Sequence, residues 1–242
     1  MARYEKPDAW SLRAQKEGYP ARSVYKLKEM DEKFRLIPPR GRERIPGKTP
    51  AGNPEETLQG APERASTGRG FRVLDLGAAP GSWSLYTLRR LAGAGFLAAA
   101  DLSPLSRRYD QGLFDGENFF FVRGDITAPE IRKTLLEQGP YRLVICDAAP
   151  PTTGSRQVDT LRSLELAETA LGYAEEALES GGNLVVKIFQ GGDAAALLTA
   201  IRGLFDSGRA FKPAACRRES FEVYYLGLGR KRVPGAPRAE TS

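Results

Sequence analysis

From Phe71 onward the chain alternates short runs of β-branched and aromatic residues with longer stretches of helical period, and this alternation restricts the fold more than any other feature. The runs are Phe71–Leu74, Phe96–Ala100, Phe119–Val122, Arg142–Cys146 and Asn183–Phe189. Between them, helices are predicted at about Ser82–Leu91, Ala128–Gln138, Gln157–Glu179 and Ala194–Phe205. A strand that returns parallel to its predecessor needs a crossover, usually a helix, so the pattern predicts an α/β fold with a mostly parallel sheet covered on both faces. Residues 209–216 and 220–228 read as two further strands joined by a tight polar turn, giving seven strands and an antiparallel C-terminal hairpin.

The flanking segments are of other kinds. Val24, Leu27, Met30 and Phe34 recur at helical spacing behind Ser23, which can cap the start. Residues 1–37 are therefore read as a basic helical segment that packs on the main domain. Residues 38–70 hold six Pro and six Gly with no apolar period and are expected to form a mobile loop. The main domain is placed at 71–228, and 229–242 is expected to be a basic, flexible tail.

Composition narrows the chemistry. The 242 residues contain no histidine, which excludes the serine-histidine triad and most catalytic zinc sites, so acid-base work must use Lys, Asp, Glu, Tyr or Cys. Two distant cysteines, Cys146 and Cys216, give neither a CxxC pair nor a disulfide framework; a cytoplasmic setting and no metal site are expected. No run approaches the ~20 apolar residues of a membrane span. With 36 Lys and Arg against 30 Asp and Glu, the net charge of +6 favours a polyanionic partner without requiring one.

Val73 to Trp83 reads as a strand, a glycine turn through Gly77 and Gly81, and a helix start, the place where open α/β sheets bind nucleotides. The dinucleotide fingerprint would need glycine at Ala79, and Pro80 lacks the amide that a pyrophosphate would use, so a ligand without phosphates fits better. Asp75, Asp101 and Asp125 fall at successive strand ends. Asp101 can take both hydroxyls of a ribose and Asp125 an adenine amino group, although each could equally cap a turn. Trp83 could be a ligand contact or, more commonly, core.

Asp147 ends the fourth strand beside this turn, with the same capping alternative. Lys187 interrupts the run Leu184 to Gly191, which otherwise reads as a buried parallel strand, and sequences avoid burying an ammonium unless it is paired or used. Glu222 and Lys26, taken alone, would pass for ordinary exposed residues of a strand and a helix.

Five segments in order, Arg22–Leu27, Asp75–Trp83, Cys146–Pro150, Val185–Gly191 and Arg217–Tyr225, resemble the FtsJ (RrmJ) family of ribose 2′-O-methyltransferases. The resemblance implies a Rossmann-like class I methyltransferase fold, S-adenosylmethionine as cofactor, and a catalytic tetrad of Lys26, Asp147, Lys187 and Glu222. It implies donor contacts at Gly81, Trp83, Asp101, Asp125 and Asp147, to which the turn adds Asp75 and Gly77. The implied partner is RNA, with a uridine of 23S rRNA in the large subunit or its precursor as target and the enzyme acting as a monomer. Three positions depart from the family pattern: Ser82 for glycine, Ala148 for methionine and Pro151 for asparagine.

In such a reaction a 2′-hydroxyl attacks a sulfonium methyl in line, so its proton must be removed. Lys187 is the candidate base, yet with an ordinary pKa near ~10.4 only about one lysine in a few thousand is neutral at pH 7. Lys26 and the cationic donor favour the neutral form, whereas Asp147 and Glu222 favour the charged one, so a neutral base and a cationic orienting group both stay open. Basic residues bracket the chain, Arg13, Lys16, Arg22 and Lys28 at one end and Lys212, Arg217, Arg218, Arg230, Lys231 and Arg232 at the other. They would form a phosphate-binding surface if the fold brings both ends beside the site. Two alternatives remain: a transfer RNA or another RNA as substrate, and a noncatalytic RNA-binding or ribosome-assembly protein on the same fold.

Overall fold

The computed structural model describes residues 8–38, 70–191, 194–217 and 220–232. The helices are α1 (Ala9–Lys16), α2 (Val24–Phe34), α3 (Ser82–Leu91), α4 (Pro129–Glu137), α5 (Arg156–Ala177) and α6 (Ala194–Leu204). The strands are β1 (Phe71–Leu76), β2 (Gly95–Asp101), β3 (Phe119–Arg123), β4 (Tyr141–Cys146), β5 (Leu178–Phe189), β6 (Phe205–Phe211) and β7 (Glu222–Arg230). They form one sheet in the order β3-β2-β1-β4-β5-β7-β6. Strands β1 to β5 are parallel, and β7 lies antiparallel between β5 and β6. Chain order reverses between β1 and β4, which opens a crevice at their carboxyl ends.

Side chains alternate across each strand, so a parallel sheet buried on both faces needs apolar residues at nearly every position. Leu74, Leu76, Val144, Val186 and Ile188 face Leu135 of α4, Ala167 and Ala170 of α5, and Ile201 of α6. Val73, Leu97, Ile145, Val185 and Leu226 face Ala14 of α1, Leu27 and Met30 of α2, and Leu85 and Leu88 of α3. Each fully buried side chain of this size contributes about 1.5–3 kcal/mol. Asp31, 3 % exposed on α2, fastens the second layer by accepting from the Ile37 amide at 2.8 Å, the Tyr86 hydroxyl at 2.7 Å and Arg90 at 3.1 Å.

Several local readings change. Helix α1 is separate from α2: Asp8 caps it, accepting from the Ser11 amide at 2.8 Å, a signal hidden among the charges of the N-terminal segment. Ser23 precedes α2 without a side-chain cap, because its backbone is already helical. Strand β5 follows α5 directly from Leu178, five residues earlier than the apolar run suggests, with Gly181 at φ 81°. No tight turn joins β6 to β7. Pro213 follows the end of β6, and Ala215 packs into the layer of α1 to α3, so the described residues 212–217 reach back over α2. Apart from residues 38 and 70, the Pro/Gly-rich stretch lies outside the described residues, as does the tail beyond 232. Among the described residues no helix is long and apolar enough to cross a membrane.

Candidate active site

The register of the sheet sets out the site. Leu76 pairs with Cys146 and Cys146 with Val186, so the residues that follow, Gly77, Asp147 and Lys187, succeed one another across the carboxyl edge. Lys187 in turn pairs with Tyr224 of β7. Antiparallel entry of β7 therefore brings Glu222 and Tyr224, which share one face, to the end of the sheet where the parallel strands finish.

The donor turn is held by backbone. Gly77 and Ala78 donate their amides to the carbonyl of Ala100 at 2.9 and 3.1 Å, and Gly81 donates to Ala78 at 2.7 Å. Gly77 has φ 75°, and a Cβ there would lie 2.5 Å from Cα and N of Ala148, so two requirements demand glycine. Gly81, at φ 105°, has Phe114 3.0 Å from its would-be Cβ. Asp101 Oδ2 accepts from the Ala79 amide at 2.9 Å and Oδ1 from the Ser103 amide at 2.7 Å. Asp101 is thus a brace for the turn, as its capping reading anticipates, yet it stays half-exposed and each oxygen keeps a lone pair. Asp125 is exposed, with Oδ1 accepting from the amide and hydroxyl of Thr127 at 2.9 and 2.8 Å. Leu102, unnoticed in the sequence, is 67 % exposed beside Asp101 and offers an apolar surface there. Carboxylate acceptors at two strand ends around an apolar surface suit an adenosine, so this donor set fits S-adenosylmethionine.

Two turn residues lie elsewhere than expected of ligand contacts. Asp75 is fully buried, accepting from the Ser84 hydroxyl at 2.7 Å, and burial pushes its carboxyl up to about 7. Trp83, 2 % exposed, packs on Tyr224 with ring centres 5.9 Å apart and donates its indole N–H to the Ser23 carbonyl at 2.8 Å. Both side chains support the turn from inside the core and present no open surface to a ligand. Ser82, the departure from glycine, has a role of its own: its hydroxyl accepts from the Ala21 amide at 2.8 Å and donates to the Ala21 carbonyl at 3.1 Å. Ser82 and Trp83 thereby fix the segment leading into α2 to the start of α3.

The four residues of the reacting group come together from four elements. Lys187 is 7 % exposed, with its ammonium 3.0 Å from Asp147 Oδ1 and hydrogen-bonded to the Asp147 carbonyl. The Tyr224 hydroxyl donates to the same Oδ1 at 2.7 Å; burial, with Asp147 and Glu222 nearby, raises its pKa far above the usual range, so it remains a donor. Lys26 and Glu222, each 9 % exposed, pair at 2.7 Å, and the Lys26 ammonium lies 5.9 Å from the Tyr224 ring centre. Beside them Cys216 is pushed up to about 12, by burial first and by Glu222 next, and so stays a thiol. Sequence reasoning missed Tyr224 and Cys216. The first could have been found, because strand alternation puts Tyr224 on the face of Glu222.

The basic residues divide. Arg22 reaches Asp8 and the carbonyl of Ala215, and Glu29 accepts from the Ala214 amide at 2.8 Å, so the segment before α2 and the 212–217 connection do meet beside the site. Arg230 and Lys231 do not join them. They lie at the far end of β7, where Arg230 bonds the carbonyls of Leu178 and Glu175 and Lys231 those of Arg202 and Gly203. Cations are favoured against such helix-end carbonyls, which is a structural use of their charge. Arg218 lies outside the described residues.

Comparison with known proteins agrees with this geometry. The family model for FtsJ-like methyltransferases matches residues 19–230. The chain is 47 % identical over 229 residues to the ribosomal RNA large subunit methyltransferase E of Treponema denticola, covering 95 % of this chain and 98 % of that one. It is 38 % identical to the protein of that name from Oleidesulfovibrio alaskensis, over 94 % and 93 % of the two chains. A Plasmodium falciparum protein assigned as a ribosomal RNA methyltransferase has the same fold, with TM-score 0.62 and 22 % identity over 88 % of this chain and 98 % of that one.

Proposed function

The chain belongs to the FtsJ-like methyltransferase family, and on that premise we propose that it methylates a ribose 2′-hydroxyl of large-subunit (23S) ribosomal RNA, at a uridine, as a cytoplasmic monomer. The observation that carries this reading is the buried Lys187 ammonium held 3.0 Å from Asp147 at the strand end adjoining the donor turn. A noncatalytic RNA-binding protein would have no use for it, since an apolar residue there would avoid the desolvation cost.

S-adenosylmethionine, when bound, supplies a methyl group on a positively charged sulfur. Asp101 would hold its ribose hydroxyls and Asp125 its amino group, while Gly77 and Gly81 keep the turn close and free of side chains. Asp147 takes two of the three donor positions of Lys187, through Oδ1 and its carbonyl, and so fixes the direction of the third. Along that direction the 2′-hydroxyl meets either an N–H, which orients it, or the nitrogen lone pair, which receives its proton as the oxygen forms its new bond. Tyr224 keeps Asp147 in place, and the Lys26–Glu222 pair offers a donor and an acceptor to the remaining ribose oxygens. Lys212 and Arg217, exposed on the segment flanking this pair, supply phosphate contacts, so RNA affinity should fall with salt.

The test is transfer of labelled methyl to large ribosomal subunits, free rRNA and tRNA in parallel, followed by mapping of the modified ribose. Label in a uridine ribose of large-subunit rRNA is expected. Labelled tRNA beside unlabelled subunits would overturn the substrate assignment.

A further inference from the structure

Beyond the tetrad along β5, the carboxyl end of the sheet carries an aromatic and cationic cluster that the reaction does not use. Phe189 stands two residues past Lys187 on the same face of β5, about 7 Å further along the strand. It pairs in register with Glu222, and Ser163 of α5 fixes its amide at 3.0 Å. Phe221 packs against it, with ring centres 4.7 Å apart and planes inclined at 60°, and is itself held by the Gln190 amide, which donates to the Phe221 carbonyl at 2.8 Å. Over the Phe221 ring, 5.2 Å from its centre, lies the guanidinium of Arg156.

Arg156 is an unusual residue where it stands. It is exposed, it opens a 22-residue helix at the end where the backbone dipole disfavours a cation, and no ion pair to it occurs among the described residues. Asp159, the acidic residue of the same turn, is occupied by the amide and hydroxyl of Thr153, both at 2.8 Å. The cation–π contact of Arg156 with Phe221, weak at an exposed position, does little more than offset the unfavourable helix dipole. A guanidinium plane next to a fixed aromatic ring, beside a site that takes a ribose, is the combination on which unpaired nucleobases stack.

We propose that Arg156 and Phe221, backed by Phe189, form a base-stacking subsite for the RNA nucleotide adjacent to the one being methylated. This rests on the RNA-methylating reading above and extends it to how the strand is held. Stacking is tolerant of base identity, so the subsite grips an unpaired strand and positions its ribose without choosing the base. The substrate nucleotide and its neighbour must therefore be out of a helix when they bind.

The test uses the full chain and Arg156→Ala, Phe221→Leu and Phe221→Tyr, with thermal melting to confirm folding. In the large-subunit assay, Arg156→Ala and Phe221→Leu should raise KM for RNA about tenfold, by the usual worth of one stacked base. Phe221→Tyr should restore it, and affinity for S-adenosylmethionine should not move. A direct probe is a short single-stranded RNA with 2-aminopurine next to a uridine, whose fluorescence is quenched when the base stacks. Quenching by the wild type and by Phe221→Tyr, lost in the other two variants, is the expected result. Equal quenching by all four proteins, or none by the wild type, would overturn the subsite. The probe needs no turnover, so a failure to methylate ribosomal RNA would leave this readout standing and count only against the substrate assignment.

Discussion

The donor turn and the reacting group share a border at Gly77 and Ala148, yet they are held by opposite means. Around Gly77 to Gly81 the bonds run between backbone groups or from backbone amides to Asp101, within about thirty residues of sequence. Around Lys187 most run between side chains, charged except for Tyr224, drawn from α2, the end of β4, β5 and β7. Backbone bonds survive most changes of side chain, which is how Ser82 can replace a glycine and gain a bond to Ala21. Buried charges do not, because losing one partner strands the other. The two regions should therefore fail separately, the first by losing affinity and the second by losing rate or stability.

The largest separation is expected from Lys187→Ala. Methyl transfer at saturating substrates should fall by about 10²–10⁴, the range for a positioned proton acceptor, while calorimetry finds donor affinity within about twofold of wild type. A parallel loss of both would merge the regions. Next, Glu222→Ala leaves the Lys26 ammonium buried without its partner and should lower stability in urea melts by about 3 kcal/mol. The double change Lys26→Met, Glu222→Leu should recover most of that stability and none of the activity, which divides structural from chemical use of the pair.

A smaller effect belongs to the donor side. Asp101→Asn weakens one of the bonds from the Ala79 and Ser103 amides and loses the other, because the new NH2 group cannot accept, so donor affinity should drop about tenfold, or ~1.4 kcal/mol, with little change in kcat at saturating donor. A further effect is the pH dependence set by Asp75. With its carboxyl pushed up to about 7 by burial and near ~3.9 when unfolded, the folded chain keeps a proton the unfolded chain has lost between those values. The contribution of Asp75 to stability should therefore decline as pH rises from ~4 to ~7, by about 1 kcal/mol per pH unit, and level off above. Denaturation of Asp75→Asn at pH 5 and pH 7 should lack that slope.

The same contrast explains what the sequence discloses. Strand, turn and helix from Val73 to Trp83 are contiguous, so the candidate donor turn is legible from local pattern. Lys187 is legible because a charge interrupts an apolar run. Glu222 is not, since alternation alone would put it in solvent, and only the insertion of β7 between β5 and β6 buries it. Lys26 looks like any helical lysine until Ser82 and Trp83 dock its segment on α3. Trp83 and Asp75 stand in a ligand-binding motif yet point into the core, a direction that motif spacing does not specify. Residues 212–217 read as the end of a strand and the start of a turn, because their packing over α2 depends on contacts 185 residues away in sequence.

The place of β7 also ties together two distant stretches of the chain. Lys26 and Glu222 lie near opposite ends of the described residues, yet they pair at 2.7 Å, and β7 is also the strand through which β6 joins the sheet. A truncation before Glu222 should therefore leave the Gly77 to Gly81 turn whole in sequence while removing both the partner of Lys26 and the neighbour of β6.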